Sequence, residues 1–180
     1  MLQKYFIAII PPEPILNEIK NIKEYVSKQY NSHGALQSPA HITLHMPFLW
    51  EEEKEEKLLD CLKGFSFEDS PLIKLKSFSS FEPRVVFINV DNDKALFLLQ
   101  QKLVFHVKKN LSIFNQSDSL RGFHPHITIA FRDLKKQIFY KVWDDFKAQE
   151  FNTEFNCNEV ALLKKGKLNW EIYRRFKFTP

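Results

Sequence analysis

Apolar and polar positions along the chain change period in a repeating order, extended and then helical. Residues 3–10 alternate or are wholly apolar and stop at Pro11-Pro12, which predicts a first strand. Behind the prolines, Ile15, Ile19, Ile22 and Val26 recur at helical spacing. Residues 31–39 read as a loop and 40–46 as a short strand. A second helix is predicted from about Glu51 to Leu62: Leu58, Leu59, Leu62 and Phe65 line one face, Glu53 and Lys57 form a favourable i,i+4 pair, and Gly64 offers a stop. Residues 72–81 then alternate as a strand.

The same order returns. Residues 84–90 read as a strand, and Asp91 or Asp93 can cap a helix carrying Leu96, Leu99 and Leu103. The stretch 110–122 supports no assignment. Residues 125–131 form another short strand, and Leu134, Ile138 and Val142 stripe a helix over 134–146. Residues 151–163 read as one strand whose apolar phase shifts near Glu159, which predicts a bulge. Trp170, Ile172, Phe176 and Phe178 alternate in a final strand. Helices spaced among strands point to an α+β fold, with a sheet in each of two lobes and helices on the outer faces. The expected organisation is one domain, residues 1–180, made of two similar lobes that follow the approximate halves 1–82 and 83–180.

Chemistry enters at the middle of each half. His41-Ile42-Thr43-Leu44 returns as His126-Ile127-Thr128-Ile129. Two of only four threonines sit two residues after a histidine. Side chains at i and i+2 of a strand share a face, their Cα atoms roughly 6.5–7 Å apart, so each motif aims an imidazole and a hydroxyl the same way. Each strand is entered just after a proline, Pro39 or Pro125, where the chain is already extended. If a pseudo-twofold relates the halves, two imidazoles and two hydroxyls converge on one small anion.

The paired motifs resemble those of the 2H phosphoesterase superfamily, within it the 2′-5′ RNA ligase-like, cyclic phosphodiesterase branch. Lys4-Tyr5-Phe6-Ile7-Ala8-Ile9-Ile10-Pro11 is similar to that branch's first strand, and His124-Pro125-His126-Ile127-Thr128-Ile129-Ala130 to its second motif. The resemblance implies a bilobal pseudo-twofold duplication with an antiparallel-rich sheet in each lobe, the sheets lining a central cleft and one motif on each wall. It implies His126 as base and His41 as acid when a cyclic phosphate opens to a 2′-phosphate, with the roles exchanged for ligation.

The residue types suit that chemistry. Opening a 2′,3′-cyclic phosphate needs a base for water and an acid for the departing ribose oxygen, and the ordinary histidine pKa of ~6.5 allows both roles near neutrality. Thr43 and Thr128 can hold the extra charge on the phosphate oxygens. No carboxylate cluster adjoins either motif, so a metal-independent mechanism without a cofactor is expected.

Other candidates are secondary. His124 and His126 share a strand face, so a His-x-His metal pair is conceivable, but no third ligand is evident, and His124 is read as supporting the substrate pocket or simply preceding Pro125. His45 lies roughly 13 Å along the strand from His41, too far to join it. His33 and His106 belong to no constellation and are expected on the surface. Arg132 lies just past the second motif, where the family often places a basic residue, although one position later than its usual Ala-Arg form. Phe48 could stack on a base or pack in the core, and Tyr5 or Tyr173 could line the cleft.

Composition narrows the class further. The net charge of +4 tolerates an RNA or nucleotide substrate without demanding one, and Lys164-Lys165-Gly166-Lys167 and Arg174-Arg175 are the densest basic clusters. Four glycines and no P-loop or dinucleotide fingerprint argue against a glycine-rich phosphate loop. Cys61 and Cys157 read as small buried thiols. The N-terminus lacks a signal-peptide run, and no segment approaches the ~20 apolar residues of a membrane span, so a cytoplasmic monomer is expected. The same four motif residues would also serve a phosphodiesterase for another small cyclic phosphate, such as an ADP-ribose derivative. A non-catalytic module that binds RNA termini would not need two titratable groups.

Overall fold

The structure is a computed structural model that describes residues 1–91, 93–116 and 122–178. Its elements run β1 (Leu2–Ile9), α1 (Ile15–Tyr30), β2 (Ile42–Glu51), α2 (Glu55–Lys63), β3 (Leu72–Phe81), β4 (Val85–Val90), α3 (Lys94–Leu111), β5 (His126–Ala130), α4 (Lys136–Phe146), β6 (Asn152–Asn156), β7 (Glu159–Lys165) and β8 (Trp170–Lys177). A 3₁₀ turn, Gly34–Gln37, precedes β2. Asp93 is the cap of α3, its carboxylate accepting from the Leu96 amide at 3.0 Å. Of the unassigned stretch 110–122, residues 117–121 lie outside the described residues.

Two four-stranded antiparallel sheets result, ordered β2-β1-β7-β8 and β5-β4-β3-β6. The motif strands β2 and β5 are the edge strands of their sheets, and the two edges touch. An edge position also accommodates Pro47 inside β2, since its missing N–H removes no ladder bond that a central strand would need. The helices cross between lobes in matching fashion: α1 packs on β5 and α4, α3 on β2 and α2. The cleft therefore opens at the seam between two motif-bearing edges.

Two expectations are corrected. The lobes do not follow the halves 1–82 and 83–180, because β3 pairs with β4 in the second sheet while β7 and β8 return to the first. A short turn joins β3 to β4, with the Arg84 amide donating to the Phe81 carbonyl at 2.9 Å, and so close a connection keeps consecutive strands paired. Residues 151–163 are not one bulged strand. β6 pairs with β3 in one sheet and β7 with β1 in the other, and the apolar phase shifts because the chain changes sheets at Cys157-Asn158.

The main core runs through both sheets and takes Tyr5, Ile7 and Ile9 from β1 and Ile42 and Leu44 from β2. A smaller cluster of Phe6, Ala8, Ile10, Ala161 and Leu163 covers the opposite face of the first sheet, with Trp170 and Ile172 against it. That β1 is buried on both faces explains why its sequence is a continuous apolar run rather than an alternating one. Among the described residues no helix is long and apolar enough to cross a membrane.

Candidate active site

Each motif alternates as a half-buried edge strand should. Ile42 and Leu44, like Ile127 and Ile129, are buried, while His41, Thr43, His126 and Thr128 are partly open. All four open side chains line one cavity of about 300 Å³ between the sheets. The histidines are pinned alike. His41 Nδ1 lies 2.7 Å from the Pro39 carbonyl and His126 Nδ1 lies 2.7 Å from the His124 carbonyl. A carbonyl can only accept, so each Nδ1 carries the proton and Nε2 is left as the nitrogen for the cavity.

Aromatic rings hold the imidazoles from behind. Phe6 packs 4.8 Å from the His41 ring, and Phe87 and Phe81 pack 5.0 Å and 5.3 Å from that of His126. Burial pushes His41 down to about 4, with the charges of Lys23 and His126 adding to the effect. Burial also lowers His126. Burial thus favours the neutral form of both rings, and a bound anion would raise both by favouring the charged form.

The secondary candidates separate. Arg132 lines the same cavity, its backbone in the left-handed region at φ 66°, its guanidinium 5.0 Å from the Phe131 ring centre and 3.4 Å from Gln37 Oε1. His124 reaches the site through its carbonyl. Its own exposed ring lies against Phe81 and Phe87, outside the cavity lining. Phe48 is 8 % exposed and packs beside Tyr5 and His45. It lines a neighbouring groove rather than the cavity. Among the described residues no group of three His, Cys, Asp or Glu side chains gathers at His124 and His126.

His45 would share the cleft-facing side of an ideal strand with His41 and Thr43. Register shifts between β1 and β2 fall beside it, and it turns inward to 0 % exposure. His33 is exposed, yet both ring nitrogens are engaged, by Ser27 Oγ at 2.6 Å and Asn31 Oδ1 at 2.9 Å. His106 is not a plain surface residue: it is half-buried, its Nε2 donating to the Cys61 carbonyl at 2.8 Å.

Sequence reasoning missed Phe6, Trp170 and Lys4 as cavity residues. Phe6 and Trp170 pack edge to face at 4.7 Å along one wall. Their signal was the unbroken apolar run of residues 5–10: when both faces of a strand are buried, the even positions must cover something too. Tyr5 and Tyr173 do not line the cavity. Both donate to the Glu55 carboxylate at the start of α2, which also pairs with Lys164 at 2.7 Å. Part of the Lys164–Lys167 cluster is therefore spent inside the fold, and the exposed Arg175 pairs with Glu159 at 2.5 Å.

The lobes are clasped at one end of the cleft. The Asp133 carboxylate, just after β5, accepts from Ser32 Oγ at 2.8 Å, the His33 amide at 2.6 Å and the Gly34 amide at 3.1 Å. Gly34 approaches so closely that a Cβ there would stand 2.6 Å from the Phe131 carbonyl oxygen.

Two antiparallel sheets meeting at paired His-x-Thr edges define a 2H-type phosphoesterase. A family model described as the 2′-5′ RNA ligase superfamily matches residues 11–169, and the chain belongs to that superfamily. It is similar to a protein of Geobacillus kaustophilus provisionally named a phosphoesterase, with 32% identity over 179 residues, covering 96% of this chain and 95% of that one. A Bacillus pumilus relative with the same provisional name is 24% identical over 184 residues, covering 96% of each chain. The fold is similar to that of Escherichia coli LigT crystallised with 3′-AMP, with a TM-score of 0.66 at 20% identity over the whole of both chains. It is also similar to that of TT0787 of Thermus thermophilus, with a TM-score of 0.65 at 20% identity over 97% of each.

Proposed function

We propose that this enzyme of the 2H class acts on a 2′,3′-cyclic phosphate or a 2′-5′ phosphodiester linkage of RNA or a nucleotide, by acid–base catalysis between His41 and His126 and without a metal. One observation carries the reading: two imidazoles with protonated Nδ1 atoms fixed to backbone carbonyls leave both Nε2 atoms for a single cavity that Thr43 and Thr128 also line. One neutral imidazole takes a proton from water at Nε2, while the other, charged by a proton taken up with the anionic substrate, gives its Nε2 proton to the departing ribose oxygen. The threonine hydroxyls bind the non-bridging oxygens as charge builds on them. A nucleotide substrate is consistent with the LigT structures obtained with 3′-AMP, ATP and NADP+.

The symmetry of the site permits either assignment of roles. The family resemblance favours His126 as base.

The test is a panel of 2′,3′-cyclic nucleotides, 2′-5′ dinucleotides and ADP-ribose 1″,2″-cyclic phosphate, with products identified by phosphorus NMR, in EDTA and again with added divalent ions. Turnover of the first two groups in EDTA is expected. Turnover of the ADP-ribose compound alone would replace the RNA reading, and a requirement for one divalent ion would replace the metal-free mechanism.

A further inference from the structure

A lysine is buried behind the cleft. Lys23, on α1, is 3 % exposed, and its ammonium donates to the carbonyls of Ala35 and Ser38 at 3.2 Å each. Both residues line the cavity, and the next carbonyl along the chain, that of Pro39, is the one that pins His41 Nδ1. None of the ion pairs among the described residues includes Lys23. A buried cation is costly unless an anion compensates it. Two carbonyl dipoles compensate only in part, and the cavity in front of them is where the proposed substrate would bring a phosphate.

We infer that Lys23 is a positioning residue of the phosphate site: a built-in cation, one layer behind the wall, that sets the Gly34–Pro39 segment and the His41 anchor and whose counter-charge is the substrate's phosphate. The charge acts at short range through protein rather than through water, so it is little screened. It also bears on the imidazole beside it, because a nearby positive charge disfavours a second one. The other charged or titratable groups facing this region are Lys4 on β1, His41 on β2, His126 on β5, and Arg132 and Asp133 just after β5. Asp133 is taken up by Ser32, His33 and Gly34. The inference rests on the phosphoesterase reading of the cleft, and it deepens that reading by naming what holds the anion besides the motif hydroxyls.

The experiment uses inorganic phosphate as the probe, so that binding is separated from turnover. Phosphate is titrated into the wild type, Lys23→Met and Lys23→Gln, followed by the imidazole resonances of His41 and His126, with thermal unfolding as the check on folding. Loss of the charge is expected to weaken phosphate roughly tenfold and to move the His41 titration upward, a shift that a mere prop for the loop would not cause. The wild type supplies a second measurement that needs no variant. Burial brings Lys23 down to about 8, so phosphate affinity should fall as pH rises through that value, where phosphate itself is already dianionic. Folded variants that bind phosphate as the wild type does, or a wild-type affinity that stays flat from pH 7.5 to 9.5, would overturn the role of Lys23 alone. A wild type that binds no phosphate would overturn that role together with the reading of the cleft.

Discussion

His41 and His126 are held by the same device in two different sheets: each donates its Nδ1 proton, at 2.7 Å, to the carbonyl of the residue two positions before it. The i,i−2 anchor works because a proline follows that carbonyl's residue or bears the carbonyl itself, keeping the approach to the strand extended. The result is one tautomer and one direction for each imidazole before any substrate arrives. Preorganisation of this kind is what makes a positioned acid or base worth several orders of magnitude.

His41→Ala and His126→Ala should each lower turnover of a cyclic phosphate by roughly 10²–10⁴-fold. Thr43→Ala and Thr128→Ala should cost less, because proton transfer survives the loss of one phosphate contact. The double histidine variant should fall far short of the product of the singles, since acid and base act as a unit. Steady-state kinetics with the pH–rate profile checks this: the wild type should give a bell, and each single variant should lose one limb. Near-normal turnover by both folded alanine variants would exclude the two-histidine mechanism.

Stability should fall on mild acidification. Burial lowers His41 to about 4 and also lowers His126 and His45, against an ordinary value of 6.5. Between those values the unfolded chain binds more protons than the folded one, so the stability is complete above about pH 6.5 and is lost as pH drops towards 4. His45→Phe should flatten that slope, because it removes a fully buried ring whose Nε2 has no partner among the described residues. Urea unfolding at a series of pH values decides it, and an unchanged slope would mean that the acid sensitivity lies elsewhere.

Gly34→Ala should loosen the clasp between the lobes. Its methyl group would be driven into the Phe131 carbonyl, which is backbone and cannot swing aside. A cost of roughly 1–3 kcal/mol is expected, with a raised KM from the displaced cleft wall. Asp133→Ala should do likewise by stripping the Ser32 hydroxyl and two amides of their acceptor. Chemical denaturation and kinetics on the same preparations measure both effects.

The Glu55 carboxylate ties α2 to three strands of the first sheet, through Tyr5, Lys164 and Tyr173. Burial alone would raise its pKa, yet the three donors together hold it at about 2. Its contribution is therefore complete above the ordinary carboxylate range and is lost as pH falls towards about 2. Glu55→Gln should cost about 2 kcal/mol, the scale of hydrogen bonds to a charged acceptor, with kcat for a cyclic phosphate unchanged. A large loss of kcat in folded protein would place the network inside the catalytic machinery instead.

The sequence alone determined whatever is written locally. The two His-x-Thr strands, the α1 and α3 stripes and the Asp93 cap are legible because helix and strand periods, prolines and capping residues act within a few positions of one another. Tertiary structure decided what depends on partners far away in the chain. β3 joins the second sheet and β7 the first, an exchange that period-2 alternation cannot reveal, because a strand reads the same whichever neighbour it pairs with. The inward turn of His45 comes from a register shift against β1. The cavity places of Phe6 and Trp170 come from β7, which sets β8 beside the rest of the first sheet. Lys23 is buried only because the segment that follows α1 folds over it and offers its ammonium the Ala35 and Ser38 carbonyls. Side-chain pattern specifies which face is buried, whereas only the assembled backbone specifies what that face is buried against.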